Sequence, residues 1–163
     1  MKRLAFLILL FTAACRPVGE RPATAAASTP ASAPPSPVYV SALCTLMGNP
    51  VRSQVPYGRP VIVMWGWSAA ARDQVEDYIR AAVAVVTFDG IGIAGRQQDG
   101  IPYDEAAKVY RAVWLSDVGP PKRGIHTVAY SLAFREKIFD GLAYYGPGTK
   151  NETMEDYCEI DVQ

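Results

Sequence analysis

The chain has 163 residues, half of them hydrophobic, with 16 Lys+Arg against 16 Asp+Glu and one histidine. That balance excludes the clustered basic surface on which nucleic-acid binding depends, and a lone histidine leaves no pair for a transition metal. The length suits one domain with a real core plus flanking segments.

The first segment runs Met1-Lys2-Arg3, then an apolar stretch from Leu4 to Phe11, then Thr12-Ala13-Ala14-Cys15. A run this short cannot cross a bilayer core, which needs about 20 apolar residues. A positive end, an apolar centre and small residues before a cut site are the parts of a secretory signal. With cysteine following them, the segment resembles a bacterial lipoprotein signal. The resemblance implies cleavage after residue 14, acylation of Cys15 with diacylglycerol and a palmitate-type chain, and a lipid bilayer as the first partner. Thr12 stands where that family carries an aliphatic residue, which leaves cleavage by an ordinary signal peptidase as the alternative. From Cys15 through Pro37 the composition turns to Pro, Ala, Ser and Thr, with too little apolar bulk to offset the entropy of ordering it. Residues 15–37 therefore read as an extended tether, and residues 38–163 as the folded domain.

Within that domain Val38 to Met47 is β-prone and carries Cys44; Tyr157 to Val162 is β-prone and carries Cys158. With Cys15 committed to lipid, these two are an even pair in an oxidising compartment, so a Cys44–Cys158 disulfide is expected rather than two separate thiols. Val61 to Trp67 reads as an apolar strand. Ser68 then caps a predicted helix over Ala69 to Ala82, with Val75, Tyr78, Ile79 and Ala82 on one face and Asp73, Glu76, Asp77 and Arg80 on the wet side. Val83 to Phe88, Asp89-Gly90 and Ile91 to Ala94 form a hairpin pattern, since Asp-Gly accepts the positive φ values of a two-residue turn. Tyr110 to Ser116, the turn cluster Gly119 to Gly124, and Ile125 to Phe134 read as strand, turn and strand. In the last of these His126, Val128, Tyr130, Leu132 and Phe134 share a face. The stretch Gly124 to Leu132 resembles a late strand of bacterial immunoglobulin-like domains. Together the elements predict a mainly β fold, an immunoglobulin-like β-sandwich with one short helix in a connection.

Four patterns raise chemistry. Gly66-Trp67-Ser68-Ala69-Ala70 lies between a strand and a helix like a nucleophile elbow, and chain order permits a hydrolase triad of Ser68, Asp117 and His126. Against it, Ala70 replaces the second glycine, and Ser68 serves equally as a helix cap. Gly90-Ile91-Gly92-Ile93-Ala94-Gly95 has the letters of a dinucleotide fingerprint but is followed by Gly100 and Pro102 instead of a helix, so a glycine-loosened hairpin is expected and no cofactor. The turns Asp89-Gly90, Asp99-Gly100 and Asp140-Gly141 could offer oxygens to calcium, yet none has the spacing of a calcium loop, and no metal is expected. Asn151-Glu152-Thr153 has the letters of a glycosylation acceptor without a context for it. The aromatics are the stronger lead: Trp65, Trp67, Trp114, Tyr144 and Tyr145 are the candidate ligand-binding residues, either as an exposed platform for a glycan or protein or as core packing. The expectation is a membrane-anchored binding, adhesion or envelope-assembly module without catalysis, its partner an envelope protein or glycan, with a small serine hydrolase as the alternative.

Overall fold

The computed structural model describes residues 33–163, so the signal segment, Cys15 and most of the tether lie outside the described residues. In chain order the elements are β1 (Val38–Ser41), β2 (Arg52–Val55), β3 (Val61–Ala69), α1 (Arg72–Ala81), β4 (Ala82–Phe88), β5 (Ile91–Gly92), β6 (Arg96–Gln97), β7 (Tyr103–Asp104), β8 (Val109–Gly119), β9 (Gly124–Phe134), β10 (Ile138–Phe139), β11 (Tyr144–Tyr145) and β12 (Thr153–Val162). One sheet has the order β1-β3-β8-β6, with β7 also on β8, and the other has β2-β12-β9-β4-β5. β10 and β11 form a separate small hairpin. The fold is a mainly β, immunoglobulin-like sandwich with one short helix, as the strand patterning predicts.

Alternation decides which side of each strand is dry. Along β9, Val128, Tyr130, Leu132 and Phe134 are buried while Thr127, Ser131 and Ala133 are exposed. Val61, Val63 and Trp65 of β3 meet them from the facing sheet, and Val55, Ile160 and Val162 complete the same core. Full burial of a side chain of this kind stabilises by about 1.5–3 kcal/mol. The Asp89-Gly90 hairpin forms as predicted, with φ of 51° and 78° at the two turn residues and Phe88 opposite Ile91.

Two expectations need correction. β8 and β9 are not hairpin partners: β8 pairs with β3, whereas β9 lies between β12 and β4. Pro120 and Pro121 lack the N–H donors a ladder needs, and Gly119 and Gly124 adopt φ of 70° and 127°, so the turn carries the chain across to the second sheet. The helix also starts later than predicted, because β3 continues through Ser68 to Ala69, which pairs with Tyr110. Ala71, and not Ser68, occupies the N-cap position, and its N–H is satisfied by Gln74 Oε1 at 3.1 Å. Ala82 donates its N–H to the Tyr78 carbonyl and turns extended, after which β4 continues with the β-branched Val83, Val85, Val86 and Thr87.

Cys44 and Cys158 form the expected disulfide, with Cα atoms 5.6 Å apart across a sequence separation of 114. It joins the loop after β1 of one sheet to β12 of the other. Closing a loop of that length restrains the unfolded chain by about 4–5 kcal/mol. Replacing both cysteines with alanine is expected to lower unfolding free energy by roughly 2–5 kcal/mol in urea titrations. Reductant should lower the melting temperature of the wild type and leave the double variant unmoved; equal sensitivity of the two proteins would contradict the assignment.

Candidate functional site

Strand alternation turns most of the expected aromatic platform inward. Trp65 is only 7% exposed and shares its side of β3 with Val61 and Val63. Trp67 stacks on Tyr78 of α1 at 4.6 Å between centroids, with Tyr145 edge-on at 4.9 Å and Phe134 at 6.0 Å. Trp114 meets Tyr78 at 5.9 Å. Trp65, Trp67, Trp114 and Tyr145 are thus inter-sheet packing; of the five candidates only Tyr144 is mainly exposed. Burial pushes the phenols of Tyr78 and Tyr130, whose hydroxyls lie 3.5 Å apart, to higher pKa.

The alternative triad is not assembled. Ser68 sits opposite Arg111 and Asp117 opposite Ile62, so the two are six strand positions apart along the same strand pair, about 20 Å. His126 belongs to the other sheet. Its Nδ1 lies 2.7 Å from Asp89 Oδ2 and its Nε2 2.8 Å from the Lys122 carbonyl, so both ring nitrogens face acceptors and both donate when the ring is charged. Asp89 Oδ1 also accepts from the Thr127 N–H at 2.9 Å, and Phe88 stacks on the imidazole at 5.3 Å. Histidine and aspartate here lock the β4–β5 turn onto β9.

The remaining motifs resolve into structure. Gly95 lies against Trp65, and a Cβ there would overlap the indole, so the glycine serves a close approach of two chain segments. Asp140 Oδ1 accepts from the N–H groups of Leu142 and Ala143, both at 2.8 Å, and Asn151 Nδ2 donates to the Tyr144 carbonyl at 2.9 Å. Among the described residues no group of three His, Cys, Asp or Glu side chains converges to hold a metal.

What the fold does bring together is the loop 42–51 and the β10–β11 hairpin. Asp156 holds the loop: its carboxylate accepts from Thr45 Oγ1 at 2.6 Å, from the N–H groups of Thr45 and Leu46 at 3.2 and 3.0 Å, and from the Tyr157 N–H at 2.8 Å. The hairpin is held by Asp140, by Asn151 and by Lys137 over the Tyr144 ring at 4.4 Å. These two clamped segments nevertheless expose large apolar side chains: Leu46 46%, Met47 66%, Tyr144 54% and Leu142 94%. Between them opens a cavity of about 210 Å³, lined among others by Leu43, Leu46, Met47, Trp67, Tyr145 and Met154. The indole Nε1 of Trp67 is buried with no hydrogen-bond partner. Neither Leu46, Met47, Leu142 nor the orphaned indole stands out in the sequence, because each depends on which segments become neighbours.

The site therefore belongs to an immunoglobulin-like β-sandwich with an apolar tip. No family model matches the sequence, and no curated protein matches it. Among solved structures, the cysteine protease inhibitor EhICP2 from Entamoeba histolytica is similar with a TM-score of 0.44 and 7% identity, covering 78% of this chain and 96% of its own. Amebosin is similar with a TM-score of 0.36 and 10% identity over 80% of this chain and 100% of its own. Neither likeness carries any residue role to this chain.

Two clamps lead to tests. Burial works against the charged forms of His126 and Asp89, but the hydrogen bond between them, with that donated by His126 to the Lys122 carbonyl and that donated by the Thr127 N–H to Asp89, raises the His126 pKa and lowers that of Asp89. A raised histidine pKa gives stability that is complete below the unfolded value of about 6.5 and is lost as pH climbs through the folded value; a lowered Asp pKa gives stability present above about 3.9 and lost as pH falls through the folded one. Proton NMR should show His126 titrating above 6.5 in the wild type and closer to it in Asp89→Asn; identical titration in both would refute the pairing. For Asp156, burial again opposes the charge and the hydrogen bonds of Thr45, Leu46 and Tyr157 outweigh it, leaving a lowered pKa. Asp156→Ala should lower stability by about 1–3 kcal/mol and raise amide exchange at Thr45 and Leu46, with the wild type losing the same protection as pH falls through the folded pKa.

Proposed function

We propose that the chain is a lipid-anchored, non-catalytic binding module of the bacterial envelope whose apolar tip docks a partner protein. The observation that carries this reading is the exposure of Leu46, Met47, Leu142 and Tyr144 on two segments that buried polar side chains hold in place. A fixed apolar patch with a cavity at its centre is the arrangement of a protein-docking surface, where a few buried anchors supply most of the affinity. A protein partner fits better than a glycan, since aliphatic side chains, Leu46, Met47 and Leu142, make up most of the exposed patch and the tryptophans are packed against the core.

Position supports the same reading. Residues 36 and 37 meet the domain where β3 begins and β8 ends: Arg59 Nε donates to the Ser36 carbonyl at 2.7 Å, and the Val38 N–H to that of Pro60 at 2.8 Å. The β10–β11 hairpin follows Phe134 at the opposite end of β9, and the 42–51 loop runs along the sandwich edge, held by Asp156 opposite Tyr130. The hairpin thus stands at the end of the sandwich away from residues 36 and 37.

A photo-crosslinking amino acid at Leu142 is expected to give a discrete protein adduct on intact membranes, while the same group at Tyr57, near the entry end, gives none. Leu46→Asp with Leu142→Asp should abolish capture without shifting the melting temperature by more than a few degrees. Cys15→Ser should abolish palmitate labelling and release the protein from membranes. Equal adducts from Leu142 and Tyr57, or capture indifferent to the double substitution, would overturn the docking surface.

A further inference from the structure

We infer that the open edge of β4 accepts an extended segment of a partner polypeptide as an added strand, one bulky apolar side chain of that segment entering the gap between β4 and β6. Backbone supplies the first argument. Asp89 donates its N–H to the Thr127 carbonyl and Arg135 donates its own to that of Ala81, so the odd-numbered residues of β4 bond to β9. Ala82, Ala84 and Val86 therefore present their N–H and C=O groups to the other side. There β5 pairs only with Thr87 and Phe88. The Val86 carbonyl accepts from the Ile93 N–H at 2.9 Å, and the Ala82 N–H goes to the Tyr78 carbonyl. That leaves the Ala82 carbonyl and both groups of Ala84 without a partner among the described residues. Unpaired edge groups are a template for another strand. Such edges are commonly guarded by charge or proline, and Ala82 to Val86 has neither.

Side chains supply the second argument. Ala84 stands opposite Leu132 on the inward face of β4, yet it is exposed, whereas Leu132 and Val86 on that face are buried. Beside it opens a cleft of about 440 Å³, walled by Ile79 of α1, by Ile93, Ala94 and Gln97, and by Trp114 of β8. That volume lies within the range of ligand pockets. In antiparallel register, the residue that exchanges both backbone bonds with Ala84 points its side chain to the same face, into this cleft. Two other occupants fit less well. A second copy would bring the free residues of its own β4, Ala82 and Ala84, whose methyl groups leave the cleft unfilled. Among residues 16–32, Val18 is the one large apolar side chain, and Pro17, Pro22 and Pro30 lack N–H donors. The edge shares no residue with the tip, so this inference does not rest on the docking surface there.

The probe is an acetylated, amidated pentapeptide with leucine at its centre and threonine elsewhere. In NMR titrations of the full chain at millimolar peptide, the Ala84 amide resonance should move downfield in a saturable way, and its hydrogen exchange should slow at least tenfold. Methylating the leucine nitrogen removes the donor that meets the Ala84 carbonyl, and replacing leucine with alanine empties the cleft. Each change is expected to weaken binding at least tenfold. Ala84→Pro deletes an N–H that faces away from β9; it should keep the melting temperature within a few degrees and lose the peptide-induced shift at Gln97. If that variant folds poorly, the comparison of parent and N-methylated peptides decides alone. No saturable shift, equal binding of those two peptides, or an Ala84 amide already protected in the free chain overturns the inference. So does protection of Ala84 that rises with protein concentration in the absence of peptide, which would assign the edge to a second copy.

Discussion

The crossing from β1 to β2 holds this sandwich together, and it is fixed by two neighbours on β12. β1 belongs to one sheet and β2 to the other, each as a parallel edge strand, so residues 42–51 must bridge the layers. Irregular bridging backbone has few ladder bonds of its own. Cys158 ties it covalently through Cys44, and Asp156 satisfies its N–H groups at Thr45 and Leu46. Residues 156 and 158 share the inward side of β12, where both are buried. One strand therefore sets the spacing of the two sheets at its centre and the shape of the loop that closes their edge.

From that constraint the aromatic interior follows. With the sheets held apart at a fixed distance, Trp67 fills the space between β3 and α1 by stacking on Tyr78, and Phe134 and Tyr145 close around its edge. The helix is short, and its buried residues Val75, Tyr78 and Ala81 are what bind it to the sandwich. A binding surface made of loops gains from such a base. Loops positioned by a rigid scaffold lose less freedom when a partner arrives.

Much of this architecture was legible in the residues, and the failures share a cause. Period-two alternation marked the buried face of β9 because it is an intrinsic property of a half-buried strand, and Asp89-Gly90 marked a turn because few residues tolerate positive φ. Parity of thiols gave the Cys44–Cys158 bond. The same signals could not say which strand lies beside which, so β8 and β9 were paired across a proline turn that in fact changes sheets. Ser68 illustrates the second limit: a serine after an apolar run looks like a helix cap, and only the pairing of Ala69 with Tyr110 shows the strand continuing past it. Parity placed Trp65 and Trp67 on one side of β3 but could not tell whether that side was dry. The tip was invisible for a related reason, since Leu46, Met47 and Leu142 are ordinary apolar letters until the fold leaves them uncovered.

The place of β12 has a temporal meaning as well. The last ten residues before Gln163 form a strand flanked on both sides, by β2 from the start of the domain and by β9. Contacts between such distant parts of a chain form slowly and late. Until β12 takes its place, β2 lacks its ladder partner and Cys44 its mate, so the covalent tie between the two sheets closes only after β1 and β3 can already have paired.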